Sequence, residues 1–469
     1  MQTIEADYLV VGAGAMGMAF TDTLVAETDA HVVVIDRGHQ PGGHWTKAYP
    51  FVRLHQPSAY YGVNSRRLGA NTVDRVGWNE GLYELATAGE VCAYFDQVMH
   101  QHLLPSGRVS YFPMSEYLGE GRFRTLGGLH YGVSVRRRVV DATYLTTVVP
   151  SMRPPSYQVE GVDCVAPNDL PIAARDRDRY VIIGAGKTGI DACLWLLRNG
   201  ISPDRLTWIM PRDSWLLDRA SIQPGPEFLE RFRANFTTRL AAIDAADCAE
   251  DLFARLEAGG NLLRLDSSVR PTMYRCATVS QAELTELRRI DNIVRMGRVE
   301  SINPGSVQLA DGTLAVNGPT LYIDCSADGL ERRPVRTVFD GELLTLQSLR
   351  GCQQVFSAAL IAHVEAAYHD DELANDLCMP VPHPNTDLDW ATMTIAEHRN
   401  QIRWLGDPEL MDWLCAARLD LMRSIFAPLV QIAEPRTRDK LIGVVQTTLQ
   451  AANDKLHALL RDHTPAVQV

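Results

Sequence analysis

Two glycine-rich stretches carry the residues best suited to chemistry in this chain. The first is YLVVGAGAMGMAF, with Gly12, Gly14 and Gly17, and the second, much later, is YVIIGAGKTGIDA. Each places G-x-G-x-x-G between an apolar, β-branched run and a run that can open a helix. The first glycine permits a sharp turn, the second lets backbone approach a phosphate, and the third lets helix and strand pack closely. The spacing therefore predicts two sites for the pyrophosphate of a dinucleotide.

The elements around the first turn form a predicted βαβ unit. Residues 4–11 are expected to form a strand, residues 16–26 a helix, and HVVVID a second strand that ends in Asp36. Asp36 stands about 20 residues after the third glycine, where a carboxylate accepts hydrogen bonds from the ribose hydroxyls of a dinucleotide. Arg37 comes next and is a further candidate for the same site. The alternative is an ordinary βαβ unit whose strand happens to end in an acidic residue.

The second turn differs from the first in the strand that comes after its helix. Its candidate cofactor-binding residues are Gly184, Gly186, Lys187, Thr188 and Gly189. The next predicted strand, in RLTWIMPRDSW, ends in Met-Pro-Arg, which puts Arg212 where the first unit has its carboxylate. A carboxylate there would repel the 2′-phosphate of NADP, whereas an arginine pairs with it bidentately. We expect NADPH rather than NADH at this site, with Lys187 adding charge beside the pyrophosphate. The alternative is that Arg212 and Lys187 are simply solvated.

The residues after Asp36 carry a family resemblance. The stretch RGHQPGGHW contains Gly42, Gly43, His44 and Trp45. Together with the two turns, it resembles the flavin-containing and Baeyer–Villiger monooxygenases, in which the first turn holds FAD and the second NADPH. The resemblance implies that the G-G-x-W segment runs past the flavin and that PFVRLHQPSAYYGVNS approaches the isoalloxazine ring. The pocket candidates that it implies are Gly43, His44, Trp45, His55, Gln56 and Tyr60.

The resemblance also supplies candidates for catalysis and for a closing strand. His44, Arg53 and His55 lie in the segment expected to face the flavin and are the candidate catalytic residues. The strand TLYIDCSADGL resembles the family's closing strand D-x-x-x-A-T-G, with Asp328 in place of the threonine, and this implies that Asp328 lies near the cofactor. The plain alternative makes the aromatic residues core residues and the histidines surface loop residues.

FAD held near NADPH implies an oxidoreductase, and the resemblance implies a monooxygenase that uses molecular oxygen on a small-molecule metabolite. The family's fingerprint before the second turn is F-x-G-x-x-x-H followed by an aromatic residue. Here Gly161 is present, but Val159, Val165 and Asp169 replace the phenylalanine, the histidine and the aromatic residue. This departure favours, as an alternative, an FAD-dependent dehydrogenase or oxidase without oxygen insertion. A flavin-binding accessory protein with a vestigial second site is the third possibility.

The expected fold class is α/β, with two Rossmann-like dinucleotide-binding domains and a C-terminal helical segment. The FAD domain is split by an inserted NADPH domain. The predicted bounds are 1–151 and 291–385 for the two parts of the FAD domain, 152–290 for the NADP-binding domain and 386–469 for the helical segment. In this last segment an apolar stripe with helical spacing comprises Ile442, Val445, Leu449, Ala452, Leu456 and Leu459. It is expected to pack onto the body, and a homodimer interface is the alternative.

Composition excludes several other classes. A chain of 469 residues is expected to form more than one domain. Its formal net charge of −12 argues against nucleic acid and anionic membranes as partners. There is no apolar run of about 18 residues, and from the opening MQTIEADYLVVGAG we expect no secretory signal. The nine cysteines never form C-x-x-C, which argues against a dithiol redox centre or a zinc ribbon. We therefore expect no metal centre and reduced cysteines in the cytoplasm.

Overall fold

The computed structural model describes residues 2–327, 329–330 and 332–461 of the chain. Asp328, a predicted cofactor-binding residue, lies outside the described residues. The strands in chain order are β1 (Gln2–Val11), β2 (Val32–Ile35), β3 (Val109–Phe112), β4 (Ser115–Gly119), β5 (Arg122–Thr125), β6 (His130–Asp141), β7 (Thr147–Val148), β8 (Gln158–Val159), β9 (Asp163–Val165), β10 (Arg179–Ile183), β11 (Leu206–Ile209), β12 (Ser214–Asp218), β13 (Met273–Val279), β14 (Ile293–Val294), β15 (Val299–Asn303), β16 (Ser306–Leu309), β17 (Gly312–Ala315), β18 (Thr320–Asp324), β19 (Gly329–Leu330), β20 (Phe339–Asp340) and β21 (Leu343–Thr345).

Helices alternate with these strands, and the described elements after β21 are all helices. In chain order they are α1 (Ala15–Glu27), α2 (Ala88–Val98), α3 (Leu170–Ala173), α4 (Lys187–Arg198), α5 (Leu229–Ala245), α6 (Ala249–Ala258), α7 (Gln281–Leu287), α8 (Gln354–Ala367), α9 (Asp371–Leu377), α10 (Asp387–Leu405), α11 (Pro408–Ala416), α12 (Arg423–Val430) and α13 (Pro435–Arg461). The predicted fold class, α/β with C-terminal helices, is confirmed.

The first sheet is built around β1. Its strand order is β20-β21-β6-β1-β2-β3, and β5 and β4 extend it from β6. β1 pairs in parallel with both β2 and β6. One face is covered by α1 and α8, which pack on each other, and the other face packs against Phe123 of β5. Because α1 lies between the sheet and α8, it is buried from Met16 to Val25 and carries apolar residues around its whole circumference.

The second sheet has the order β14-β11-β10-β18-β9, and every one of its pairs is parallel. Its central strand β10, RYVII, is buried from Tyr180 to Ile183. Such continuous apolar runs are expected where both faces of a parallel sheet are covered. Here α4 and α7 cover one face, and the small sheet β17-β16-β15-β8 packs on the other.

The predicted bounds of the inserted domain were wrong at the C-terminal side. We expected residues 291–385 to return to the first domain, with TLYIDC as its closing strand. Instead β18 pairs in parallel with β10 and β9, so the second domain continues to Asp324. The chain re-enters the first sheet at β20 and β21, and β21 pairs in parallel with β6. A fully buried strand has the same apolar pattern in either sheet, so the pattern could not say which sheet it joins.

The C-terminal helices pack onto the body of the protein. α13 packs against α10 and α5. Four residues of the predicted apolar stripe, Leu449, Ala452, Leu456 and Leu459, are buried, and Ile442 and Val445 are partly buried. This confirms the packing expected for the stripe over these residues. Within the described ranges, no helix combines the length and the apolar composition that crossing a membrane requires.

The cysteine prediction was wrong for one pair. Cys276 of β13 and Cys352, just before α8, form a disulfide across 76 residues of sequence. The other cysteines of the described residues are free thiols. Sequence spacing could not reveal this pair because the fold brings the two residues together from different elements.

Candidate functional site

The first glycine turn has the backbone that its sequence predicts. Gly12 has φ +108°, a conformation that strongly favours glycine. A Cβ on Gly17 would lie 1.9 Å from the carbonyl oxygen of Gly12, so the helix and the strand meet at a distance that only glycine allows. α1 begins at Gly14 without a side-chain cap, and its first N–H groups are therefore available to an anion.

The missing cap separates this helix from several others in the protein, although α3, α5, α8 and α12 also lack a side-chain cap. α2, α7 and α10 all begin with a capping box, in which Thr87, Ser280 and Thr386 each bind the third residue of their helix. α4, like α1, begins at a glycine, Gly186, with no side-chain cap. The two helices that come after the glycine turns thus keep their N-terminal N–H groups free of side-chain partners.

Asp36 lies at the end of β2 and is fixed against the first turn. The N–H groups of Ala13 and Gly38 each donate to one of its carboxylate oxygens at 2.6 Å. Burial raises the pKa of Asp36, although the two backbone donors oppose this shift. Arg37, predicted for the same site, points outward: its side chain is 80% exposed and lies 3.7 Å from Glu116. The structure therefore brings Asp36 to the turn and leaves Arg37 outside it.

The G-G-x-W segment lies directly against the first turn, as the resemblance implies. The N–H of Gly42 donates to the carbonyl of Ala13 at 2.9 Å. A Cβ on Gly43 would lie 3.0 Å from the Cα of Gly14, so the two backbones touch. Trp45 is buried and donates through Nε1 to the Tyr61 hydroxyl at 2.7 Å. These contacts make the segment one wall of the turn.

His44 is enclosed beside Trp45, with the ring centroids 5.3 Å apart. Burial lowers the pKa of His44 to about 4. The imidazole is therefore neutral at pH 7 and can accept or donate a hydrogen bond without carrying charge.

His55 joins the first domain to the second. The N–H of Thr278, on β13, donates to His55 Nδ1 at 3.3 Å, which leaves the ring proton on Nε2. The His55 carbonyl accepts from Arg219 Nε at 3.0 Å. Burial, with smaller contributions from Lys187 and Arg219, lowers the pKa of His55 to about 3. His55 is thus a neutral imidazole, and Gln56, next in the chain, is half-buried.

Arg53, a predicted catalytic residue, lies on the solvent side of this loop. Arg53 is exposed, and its backbone bridges to Thr87. Its neighbours Val52 and Leu54 are buried. In extended backbone successive side chains point to opposite faces, so Arg53 faces solvent because its neighbours face the core.

The second turn repeats the backbone of the first. Gly184 has φ +119°, and a Cβ on Gly189 would lie 2.1 Å from the Gly184 carbonyl oxygen. The indole Nε1 of Trp208 donates to that same oxygen at 2.8 Å. By contrast, a Cβ on Gly186 would meet no atom within 4 Å. Gly186 therefore borders open space, as the glycine nearest a phosphate should.

Three side chains meet at the start of α4. Lys187 forms an ion pair with Asp191 one turn later. The Tyr49 hydroxyl, from the loop after Trp45, donates to Asp191 Oδ2 at 2.7 Å. Burial and the neighbouring Asp191 raise the pKa of Tyr49 well above its ordinary value. Thr188 is half-buried beside this group. Sequence reasoning missed Tyr49 and Asp191, and their separation of 142 residues explains why.

Arg212 is half-buried rather than solvated. Its Nη2 lies 3.0 Å from Asn385 Oδ1 and 3.6 Å from Met273 Sδ. Arg275 donates to the same Asn385 oxygen from Nε at 3.1 Å and from Nη2 at 2.7 Å. Two guanidinium groups thus converge on one amide beside the second turn. Sequence reasoning missed Arg275 because it lies on β13, far along the chain from the glycines.

Residues 10–64, which hold the first turn and His55, match the family described as "NAD(P)-binding Rossmann-like domain". The chain therefore contains a domain of that class. An uncharacterised protein of Mycobacterium tuberculosis is 62% identical over 460 residues, covering 98% of this chain and 85% of that protein. The same identity and coverage hold for an uncharacterised protein of Mycobacterium bovis. The chain belongs to the family of these mycobacterial proteins.

Solved structures similar to this chain include monooxygenases. The flavin-containing monooxygenase from Stenotrophomonas maltophilia is 16% identical, with 78% of this chain and 99% of that chain covered and a TM-score of 0.47. Cyclohexanone monooxygenase from Rhodococcus sp. Phi1 bound to NADP+ is 14% identical, covering 78% and 85%, with a TM-score of 0.45. At TM-scores below 0.5, these similarities assign neither a ligand nor an activity to this chain.

Proposed function

We propose that this protein is an FAD-dependent, NADPH-linked oxidoreductase of the flavin monooxygenase type that acts on a small-molecule metabolite in the cytoplasm. One observation carries the proposal: the chain builds two glycine turns, each with an uncapped helix N-terminus, and the loop from Tyr49 to His55 links them. A chain with one dinucleotide has no need of the second turn. Two dinucleotides held face to face suit hydride transfer between them.

The residues of the first turn fit FAD. The free N–H groups of α1 and the close backbone of Gly14 and Gly43 suit a pyrophosphate. Each Asp36 oxygen already accepts one backbone hydrogen bond and has lone pairs left for ribose hydroxyls. His44 and Trp45 line the continuation of this wall. When bound, FAD supplies hydride acceptance from NADPH and electron transfer to oxygen or another acceptor.

The residues of the second turn fit NADPH. Gly186 leaves open space at the uncapped start of α4, where a pyrophosphate fits. Arg212 and Arg275 supply two guanidinium groups that would hold the ribose end of such a dinucleotide, and Asn385 holds their orientation. Two guanidinium groups suit a 2′-phosphate and offer nothing comparable to the 2′-hydroxyl of NADH.

His55 and Tyr49 are the residues that we propose to act between the two cofactors. His55 is neutral and its Nε2 carries a proton that it can donate in a hydrogen bond. Tyr49 and Lys187 hold Asp191, which keeps the start of α4 fixed relative to the first domain. These contacts suit Tyr49 to orientation and water exclusion, and His55 to hydrogen bonding at the junction.

An FAD-dependent dehydrogenase or oxidase is the second candidate. Val165, which occupies the place of the fingerprint histidine, lies on β9 and packs into the apolar core of the second sheet. Valine cannot provide the hydrogen bonds of a histidine, so oxygen insertion lacks this support.

The test begins with the visible spectrum of the purified protein and anaerobic addition of NADPH or NADH. We expect a flavin spectrum that NADPH bleaches at much lower concentration than NADH. A colourless protein that takes up no FAD would refute the proposal. A flavin that neither nicotinamide bleaches would show that the second turn is not a working nicotinamide site.

Oxygen chemistry separates the two candidates. The reduced protein is exposed to ¹⁸O₂ with thioanisole or cyclohexanone as probes, and products are analysed by mass spectrometry. Incorporation of ¹⁸O into either probe supports oxygenation. Release of one hydrogen peroxide for each NADPH, with both probes unchanged, supports an oxidase instead.

A further inference from the structure

The Cys276–Cys352 disulfide joins the two dinucleotide-binding regions. Cys276 lies on β13, and Cys352 lies two residues before α8, which packs on the first sheet. Neither cysteine belongs to a glycine turn, and the proposed function uses neither of them. The position of each end relative to the turns decides what the disulfide can do.

The Cys352 end lies at the edge of the first sheet that carries the first glycine turn. α1 and α8 pack along each other. His363, in the last turns of α8, contacts Glu27 at the end of α1, with Nδ1 2.7 Å from Oε2. The helices are therefore parallel, and their starts lie side by side. Because α1 starts at the turn, the start of α8 lies within about one helical turn of it along the axis, and Cys352 lies there too.

The Cys276 end lies beside the junction between the two sites. Two residues after Cys276, the N–H of Thr278 donates to His55 Nδ1. On the other side, Arg275 binds Asn385 together with Arg212. The disulfide thus lies where the first turn's edge, the His55 loop and the two arginines come together.

The surroundings of Cys352 favour thiol chemistry. His383 Nδ1 lies 3.8 Å from Cys352 Sγ. Burial, followed by the positive charge of Arg275, lowers the pKa of His383 to about 4, so the imidazole is neutral and can accept a hydrogen bond from the Cys352 thiol. Cys352 also lies just before the N-terminus of a 14-residue helix that has no side-chain cap, and such a position stabilises a thiolate. Cys352 is half-buried, whereas Cys276 is 8% exposed.

We propose that Cys276–Cys352 is a redox-active disulfide that exchanges an electron pair with the flavin, giving the protein a second two-electron store. This rests on the proposed function, because NADPH is the reductant and the bound flavin is the carrier. The S–S bond accepts two electrons and two protons and becomes two thiols, while the reduced flavin is oxidised. Cys352 is the exchanging cysteine, and His383 accepts a hydrogen bond from its thiol once the disulfide is reduced.

The cytoplasmic location proposed above supports this role over a purely structural one. In reducing compartments disulfides are rare, and those present are usually catalytic or redox-sensing. A neighbouring base and a helix N-terminus are the features that make a cysteine reactive, and a structural disulfide needs neither.

The experiment is an anaerobic titration of the holoprotein with NADPH, then denaturation without reductant, alkylation and peptide mass spectrometry. We expect Cys276 and Cys352 to be blocked before NADPH and alkylated after it. Complete bleaching should then take two equivalents of NADPH per flavin. Cys352→Ser should need one equivalent, and Cys415→Ser, which removes a half-buried free thiol, should still need two.

Complete bleaching at one equivalent with the pair still oxidised would overturn this inference and leave the proposed function intact. The inference would also be overturned if Cys276 and Cys352 were free thiols in the purified protein and the oxidant diamide failed to join them in a disulfide. A protein without flavin, or with a flavin that NADPH leaves oxidised, would refute both proposals together. If Cys352→Ser does not fold, the alkylation result on the wild-type protein still decides the question.

Discussion

The two glycine turns share a backbone and differ in the side chains that close them. Both have a first glycine with positive φ, a third glycine in contact with the first, and an uncapped helix. The first is closed by Asp36, which backbone N–H groups bind at 2.6 Å. The second is closed by Arg212, which contacts Met273 of β13 and Asn385 of the loop before α10. The backbone thus suits a pyrophosphate in both places, and the closing residue distinguishes the dinucleotides.

The largest effect is expected where the shared backbone is broken. Gly17→Ala places a Cβ 1.9 Å from a backbone oxygen, so α1 must move away from β1. We expect loss of bound FAD and a fall in thermal stability, measured by flavin content and by the unfolding temperature. Gly186→Ala, at the middle glycine of the second turn, meets no protein atom and should keep flavin and fold while weakening NADPH binding. Equal loss of stability from both changes would contradict the difference in free space around Gly17 and Gly186.

The next effect concerns the closing residue of the second turn. Arg212→Ala should raise the KM for NADPH about 10- to 100-fold, which is the loss expected for a charge-assisted contact with a phosphate, and leave the KM for NADH nearly unchanged. Steady-state kinetics with both nicotinamides gives the ratio. Arg289→Ala, an exposed arginine paired with Glu286, is the control and should change neither KM. A parallel rise for NADPH and NADH would show that Arg212 does not recognise the 2′-phosphate.

His44, in the wall of the first turn, should make the free energy of unfolding depend on pH. The pKa of His44 is about 4 in the folded protein, below its ordinary value of 6.5, so the unfolded chain takes up the proton first. The resulting stability is present above pH 6.5 and is lost as the pH falls toward 4. Between pH 7 and pH 5 this loss is about 2 kcal/mol for one such histidine.

His44→Gln should remove that part of the pH dependence, measured as the free energy of unfolding in urea at pH 7 and pH 5. His39→Gln, which changes an exposed histidine nearby, serves as the control. If His44→Gln and the wild-type protein lose the same stability on acidification, His44 is not the group that titrates.

The smallest effect is expected at the link between the turns. Tyr49→Phe removes the hydroxyl that donates to Asp191 at 2.7 Å, while Lys187 still pairs with that carboxylate. We expect a loss of about 1 kcal/mol in the free energy of unfolding and a change of a few-fold in the KM for NADPH. Tyr131→Phe, which keeps the ring stacked 5.0 Å from Phe123, is the control. An unchanged KM would mean that the Tyr49 hydroxyl does not help to position the second site.

The sequence predicted the parts of the site that local rules determine. The glycines and Asp36 could be found because a turn between a strand and a helix needs them within one short stretch. The outward direction of Arg53 also had a local signal, because apolar residues and the arginine alternate through Val52, Arg53 and Leu54.

Contacts between distant residues could not be predicted. Tyr49 meets Asp191 across 142 residues, Arg275 meets Asn385 across 110, and Cys276 meets Cys352 across 76. Each pair depends on how the sheets and helices pack, which a single sequence does not specify. The same reason explains the error over β18, because the sheet that a buried strand joins is decided by packing.

The late return of the chain to the first sheet has a consequence for how the protein folds during synthesis. Arg138 of β6 binds the carbonyl of Gly341, 203 residues later, and Tyr8 of β1 binds Glu365 of α8, 357 residues later. The first domain therefore lacks an edge strand and a covering helix until the second domain has left the ribosome. During that interval the apolar faces of β1 and α1 are either exposed to solvent or bound by a chaperone. A fragment that stops near residue 151 should consequently aggregate rather than fold.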